Sequence, residues 1–416
     1  MRSIKPGSIK PVWHSLPLVA ALGALLAVVA PAQAAGTART VDGRTLIGTF
    51  AVAEDGTATV TGEAGETKID VAELLSFERA AAKPRKVQVE SRVWLRSGLE
   101  LPAKKLSGRA AADGKPAILI LRLPSGLNLE VPMSTVQAIR QGGLQRPQPS
   151  LFAQDLQTPP SNNDLIYVVK NGKAQRSSVE VASLTAESIA FELRGDSYDF
   201  ELSGIAAVVF GVNTGFPPDR QPRPRVAVSL TTGERIEGKI LSMGANLRCR
   251  IDEGFVLDVP MRNLHRIDVS SDKLVWMSEL TPKVEQTPAF DRVWPWHTDR
   301  SIAGPGFDLA GTHFERGLGL VPHTKLTYDL SGRFDMFEAM IGIDDRGGPE
   351  AHAVFRVLVD GKLVFESKPM TRGQPPHELR IDLNKAKALV LEVDFGKNYD
   401  LGDFCAFADA RVVQSE

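Results

Sequence analysis

The chain has 416 residues, more than one ordinary domain holds, and is expected to divide into about two to four. Its 49 Lys and Arg against 50 Asp and Glu exclude the strongly basic surface that tracks a nucleic-acid backbone, and equally an acidic solvating tail. Hydrophobic residues at 43 % suffice for packed cores, while 36 Gly and 27 Pro demand frequent turns, so the fold is expected to be mostly β. Cys249 and Cys405 are the only cysteines, too few for a disulfide scaffold or a thiolate metal site, and are expected to be buried as small apolar residues.

Residues 1–35 have the pattern of a secretory signal peptide. Arg2, Lys5 and Lys10 supply the positive start, Leu16 to Ala30 the apolar stretch, and Ala32-Gln33-Ala34 the small-x-small cleavage pattern. The apolar stretch falls short of the roughly 20 residues that a membrane span needs. No other segment is apolar enough to cross a bilayer, so the expectation is an exported protein with no membrane span after signal cleavage.

Between residues 36 and 275 one phrase recurs. Leu127 to Ile139 (LNLEVPMSTVQAI) and Phe255 to Ile267 (FVLDVPMRNLHRI) match at Leu129/Leu257, Val131/Val259, Pro132/Pro260, Met133/Met261 and Ile139/Ile267. Lys68 to Phe77 and Tyr198 to Phe210 are looser copies. Aligning Val71, Val131, Leu202 and Val259 spaces the copies 60, 71 and 57 residues apart. Each is preceded by a Gly-led turn between alternating strands, which is hairpin chemistry, clearest in Asp42 to Phe50 and Thr232 to Ile240. Such units can close into small SH3-like or Sm-like barrels, which removes exposed edges. The Pro-rich stretch 146–163 reads as a linker and Phe216 to Pro224 as a shorter join. The expected arrangement is two tandem pairs, modules 1 and 2 over 36–145 and modules 3 and 4 over 164–275. Their acids and bases fall singly on alternating strands and suggest no catalytic site.

From Trp276 the grammar changes. The phrases are Arg-Gly-Leu-Gly-Leu through Tyr-Asp-Leu (Arg316 to Leu330), Gly-Ile-Asp-Asp (Gly342 to Asp345), Val359 to Ser367 around an Asp360-Gly361 turn, and a closing Ala-Asp-Ala-Arg (Ala408 to Arg411). Some eight period-2 strands without helical periodicity suit a jelly-roll sandwich. In order and spacing, residues 276–416 resemble the NPCBM family, a carbohydrate-binding module with a galactose-binding-like β-sandwich.

That resemblance implies a glycan or polysaccharide partner. By family position it implies Trp294, Trp296, His297, Asp299, Arg300, His323 and Asp403 as the carbohydrate-binding residues. Sugar sites join an aromatic face to fixed donors and acceptors. Asp344 and Asp345 end a strand and are candidate ligands for a structural Ca2+, the one cofactor expected. The chain departs from the family in its closing segment, where Phe404, Ala406 and Phe407 replace a His, an Asp and a Trp. Apolar replacement there removes hydrogen-bonding groups and keeps the packing.

The motifs of serine hydrolases and zinc proteases and the phosphate-cradling glycine loops are missing from the sequence. Asp344 and Asp345 are adjacent, so on a strand they point to opposite faces and do not flank one glycosidic bond. The expected function is an exported, non-catalytic protein with a C-terminal carbohydrate-binding module, its N-terminal modules acting as spacer or docking units. The alternative is a structural or assembly protein of the cell envelope that binds other envelope proteins and has lost sugar binding.

Overall fold

The structure is a computed structural model that describes residues 34–80, 82, 85, 87, 89, 91–112, 115–142, 149–185, 187–212, 222–252, 254–287, 294–396 and 402–414. The export signal expected over 1–35 lies outside these residues except for its last two, and so does 216–221 of the shorter proline-rich join.

Residues 34–270 form four units of one topology. The first has β1 (Ala34–Thr40), β2 (Thr45–Val52), β3 (Thr57–Gly62), β4 (Gly65–Asp70) and β5 (Leu74–Arg79). The second has β6 (Arg92–Leu95), β7 (Glu100–Pro102), β8 (Lys105–Arg109), β9 (Ile118–Arg122), β10 (Asn128–Pro132) and β11 (Val136–Arg140). The third has β12 (Asp164–Lys170), β13 (Lys173–Leu184), β14 (Ser188–Leu193), β15 (Asp196–Glu201) and β16 (Ile205–Val209). The fourth has β17 (Arg225–Leu230), β18 (Arg235–Met243), β19 (Asn246–Ile251), β20 (Val256–Pro260) and β21 (Leu264–Ser270). In each unit the strands meander, a 3-10 turn follows the penultimate strand, and the last strand returns to pair with the first.

In the first, third and fourth units the second strand serves both halves of the meander, whereas in the second unit it is broken into β7 and β8. Thus β18 pairs with β17 through Arg235–Gly238 and with β19 through Gly238–Met243. The shared residue is a glycine because a Cβ there would lie 2.1 Å from the Arg250 carbonyl, and Gly48 of β2 is likewise 2.3 Å from that of Thr61. The 3-10 turns begin at Val71, Met133, Leu202 and Met261, so the repeat register in the second and fourth units runs two residues later than the Val131 and Val259 alignment.

The units do not associate as two tandem pairs. The first joins the fourth in one ten-stranded sheet through β5 and β21, and the second joins the third through β11 and β16. Both seams are antiparallel and centred on equivalent residues, Phe77 opposite Ile267 and Ile139 opposite Val208. Each pair is therefore an internal pseudo-dimer related by an approximate two-fold axis, one nested inside the other. A returning last strand covers its own first strand but leaves its other edge open, and pairing two such edges satisfies both. Buried apolar residues of all four units run together into a single core.

The linker expected over 146–163 contains a helix, Pro149–Gln157. Pro is tolerated in a first helical turn, and Pro159-Pro160 cannot continue the helix. Phe152 and Asp155 are both buried. Phe152 packs edge-on to Trp94 and Tyr167, and Asp155 holds the Arg176 guanidinium at 2.9 Å and the Tyr167 hydroxyl. The segment is thus a packed plug on the inner pseudo-dimer.

Beyond Leu274 the chain forms a two-sheet sandwich with its own core. One sheet carries His297–Thr298, Gly317–Leu320, Cys405–Val413, Met336–Ile343 and His377–Asp382 in that order. The other carries Lys283–Gln286, Thr324–Asp329, Ala388–Phe395, His352–Val359 and Lys362–Glu366. The Asp360-Gly361 hairpin has both central residues at positive φ, 47° and 79°, the conformation that favours this dipeptide. Cys249 and Cys405 are buried free thiols, and burial, reinforced by Asp252, pushes the Cys249 thiol up to about 12.

A buried ionic junction fixes the sandwich to the fourth unit. Trp276 is fully buried and donates its indole N–H to the Val269 carbonyl at 2.8 Å. Arg316, from the Arg-Gly-Leu-Gly-Leu phrase, lies 4.9 Å over its ring and pairs with Glu279 at 3.0 Å and Asp268 at 3.8 Å. Arg235 reaches Asp299 of the sandwich at 2.9 Å, and Ser229 donates to Glu315. Burial works against an ionised Asp268, but Arg266, Arg316 and Arg235 outweigh it and hold its pKa below the ordinary value.

Candidate functional site

The structure separates the nine residues singled out in the sequence. Trp294 is half-buried, and its carbonyl accepts from Gln286 Nε2 at 2.7 Å, which also reaches Thr324 Oγ1 at 3.0 Å. Trp296 packs against the sandwich core. His297 pairs through its backbone with Gly319 and is half-buried. Asp299, at φ 53°, accepts from the Gly317 N–H at 3.0 Å and spends its other oxygen on Arg235. Arg300 is exposed beside it. Asp403 is fully buried and accepts from the His352 N–H at 2.8 Å, holding the chain crossing rather than facing a cleft.

Asp344 and Asp345 do not fit a calcium site. Asp344 is fully buried, and both its oxygens lie 2.7 Å from Arg346 nitrogens, so a cation there would meet a guanidinium. Asp345 accepts from the Ala310 and Gly311 N–H groups at 3.0 and 2.8 Å. Among the described residues no three His, Cys, Asp or Glu side chains converge as metal ligands. The two carboxylates instead pin the Phe307–Phe314 hairpin to the strand that ends at Ile343.

The apolar departures at Ala406 and Phe407 lie on a central strand. Phe407 packs edge-on to Phe355 at 5.4 Å, and Ala406 sits against Phe307 and Leu309. Those side chains fill the interior, so they do not report on the state of a surface site.

His323 borders a small surface cleft. A cleft of about 250 Å3 is lined by Glu285, Thr287, His323, Thr324, Lys325, Glu392, Val393 and Asp394. His323 adopts φ 57°, its ring centroid lies 3.7 Å from that of Phe395, and its Nε2 is 3.2 Å from Asp394. Arg356 binds Glu392 at 2.9 Å, Asp394 at 2.7 Å and Glu366 at 2.6 Å, which orients the carboxylates. Burial opposes ionisation of Asp394, yet the Arg356 hydrogen bond and charge keep its pKa below the ordinary value. Of this cleft the sequence reading had found only His323. The alternation of Leu-Glu-Val-Asp-Phe places Glu392 and Asp394 on one face, and that was the available signal.

His297 gives a pH dependence. Burial, aided by the nearby Arg300 charge, lowers its pKa from 6.5 to about 4. The unfolded chain therefore takes up the proton first as pH falls. The stability that His297 contributes is fully present above about 6.5 and is lost toward about 4. Urea midpoints at pH 7 and pH 5 are expected to differ more for the wild type than for His297→Gln, and equal differences would contradict this account.

Comparison with known proteins finds matches confined to part of the chain. Residues 273–413 match the NPCBM/NEW2 domain family. A protein of Renibacterium salmoninarum named as an endo-alpha-N-acetylgalactosaminidase is 34 % identical over 90 residues, 22 % of this chain and 6 % of that protein. The chain thus spans only a small fraction of the curated relative it matches. Among solved structures, the CBM51 of Clostridium perfringens GH95 in complex with methyl-galactose is 26 % identical, over 34 % of this chain and 99 % of that one, with TM-score 0.31. The CBM51-2 and INT domains of Clostridium perfringens ZmpB with GlcNAc are 22 % identical, over 45 % of this chain and 40 % of that one, also with TM-score 0.31.

Proposed function

We propose that the chain is an exported, non-catalytic glycan-binding protein whose C-terminal sandwich takes a sugar at the His323 cleft. The observation that carries this reading is the fixed set of His323, Asp394 and Glu392 around a shallow opening of about 250 Å3, smaller than drug-sized ligand cavities and so suited to a single ring rather than a long chain. Arg356 orients both carboxylates, and Asp394 lies 3.2 Å from the His323 ring, before a ligand arrives, so little ordering cost remains on binding. The NPCBM/NEW2 match over the same residues supports a carbohydrate, and the pattern of residues 1–35 supports export.

A glycosidase needs a carboxylic acid whose pKa is raised so that it can protonate the leaving oxygen. At this cleft Arg356 drives Asp394 the opposite way, which supports binding without hydrolysis. Asn tolerates the left-handed conformation of residue 323, so His323→Asn removes the ring without straining the backbone. On a glycan array the full chain is expected to retain galactose- or GlcNAc-containing glycans, and His323→Asn to weaken them at least tenfold. Equal retention by the two proteins, or none by the folded wild type, would overturn the assignment.

A further inference from the structure

A larger cleft, about 720 Å3, opens where the second unit, the fourth unit and the sandwich meet. We propose that it is a second carbohydrate site, one that neither the units nor the sandwich forms alone, and that it takes a neutral oligosaccharide of two or three rings. Its volume lies well inside the range of ligand cavities.

The lining has the chemistry such a ligand needs. Trp94 lines the cleft and is held by Phe152, 5.4 Å away and edge-on. Arg140 lies over the Trp94 ring, 5.4 Å from its centre, so the indole steadies a planar fork of donors that a sugar hydroxyl can meet. Glu100, Glu237 and Asp252 supply acceptors, and each is already matched. Arg92 lies 3.1 Å from Glu100, and Arg225 binds Asp252 and lies 3.5 Å from Glu237. Matched charges disfavour a ligand with charge of its own, while oriented carboxylates and guanidinium groups still bond hydroxyls. That combination selects a neutral polyhydroxylated ligand over an anion or a cation.

The sandwich contributes Thr298, Asp299 and Arg300 to this wall, two of them residues that the sequence singled out and the His323 cleft does not use. The Asp299–Arg235 pair at 2.9 Å clamps the sandwich wall to the fourth unit, so the cleft has a set width. The inference does not depend on the His323 cleft, with which it shares no lining residue.

The test uses the full chain and its His323→Asn variant, titrated calorimetrically with N,N′-diacetylchitobiose, galactobiose, cellobiose, their trisaccharides and a digalacturonate. At least one neutral sugar is expected to bind His323→Asn. Arg300→Ala, a change at an exposed position, is expected to weaken it at least tenfold, as is Trp94→Leu. Loss only in His323→Asn, unaltered affinity in Arg300→Ala, tighter binding of digalacturonate, or no binding of any neutral sugar would each overturn the proposal. If the first cleft is misassigned and this one is not, the wild type and His323→Asn bind alike.

Discussion

Arg316→Ala is expected to destabilise the chain by about 3–5 kcal/mol, because it removes one partner of a buried ion network and strands the others. The guanidinium is 2 % exposed, and without it Glu279 and the fully buried Asp268 lose a cation at 3.0 and 3.8 Å. The Trp276 ring also loses the nearer of the two guanidinium groups over it, leaving Arg411 at 5.7 Å. In urea the variant should unfold at lower concentration and in two steps, with the sandwich released from the fourth unit first. A midpoint within error of wild type would show that Arg266 and Arg235 suffice to balance Asp268. The sign reverses at Asp409, which is pressed into the same network. Burial, with Asp268 adding to it, raises its pKa despite Arg266, Arg411 and Arg316. Its contribution is largest at low pH and is lost as pH rises through that raised value, so Asp409→Asn should be neutral or stabilising near pH 7.

Phe77→Ala should cost about 3–5 kcal/mol, the usual loss for a large aromatic in a packed core. Phe77 is 1 % exposed, stacks on Phe50 with ring centroids 4.4 Å apart, and lies over Gly36, whose missing side chain makes room for it. The informative readout is remote in sequence. Phe77 sits at the centre of the β5–β21 seam, so hydrogen exchange should accelerate across 264–270 as well as 74–79. If the distant strand keeps its protection, the first and fourth units are not coupled through that edge.

The individual strands and the change of grammar toward a C-terminal sandwich were legible in the sequence, because period-2 alternation and Gly-led turns are written locally. The partner of each unit was not. Alternation fixes which side chains face a core, whereas the choice of neighbouring edge is made by backbone groups that every residue carries. Met133 and Met261 marked equivalent points correctly, yet nothing in them distinguishes β11 meeting β16 from β11 meeting β5. The helix at Pro149–Gln157 was hidden because nine residues among prolines read as a linker until Phe152 and Asp155 find Trp94 and Arg176. At the candidate sites, family position located Asp344, Asp403 and Asp299 but not what each carboxylate holds. Their partners Arg346, His352 and Arg235 are remote in the chain or, for Arg346, silent in the pattern.

The nesting of the two pseudo-dimers imposes an order on how the chain acquires its structure. Phe77 and Ile267 are 190 positions apart, whereas Ile139 and Val208 are 69 apart. As the polypeptide emerges from its amino end, the inner seam can close once residue 209 is out. The outer half-sheet then waits with β5 uncovered. Loop closure over such a separation is slow relative to local pairing, and an open strand edge recruits whatever extended chain is nearest. The first unit is therefore an orphan while some 190 further residues are made, and any product that stops short of β21 carries a permanent sticky margin. The last unit of the array acts as the clasp that turns an association-prone precursor into a finished, edge-protected body.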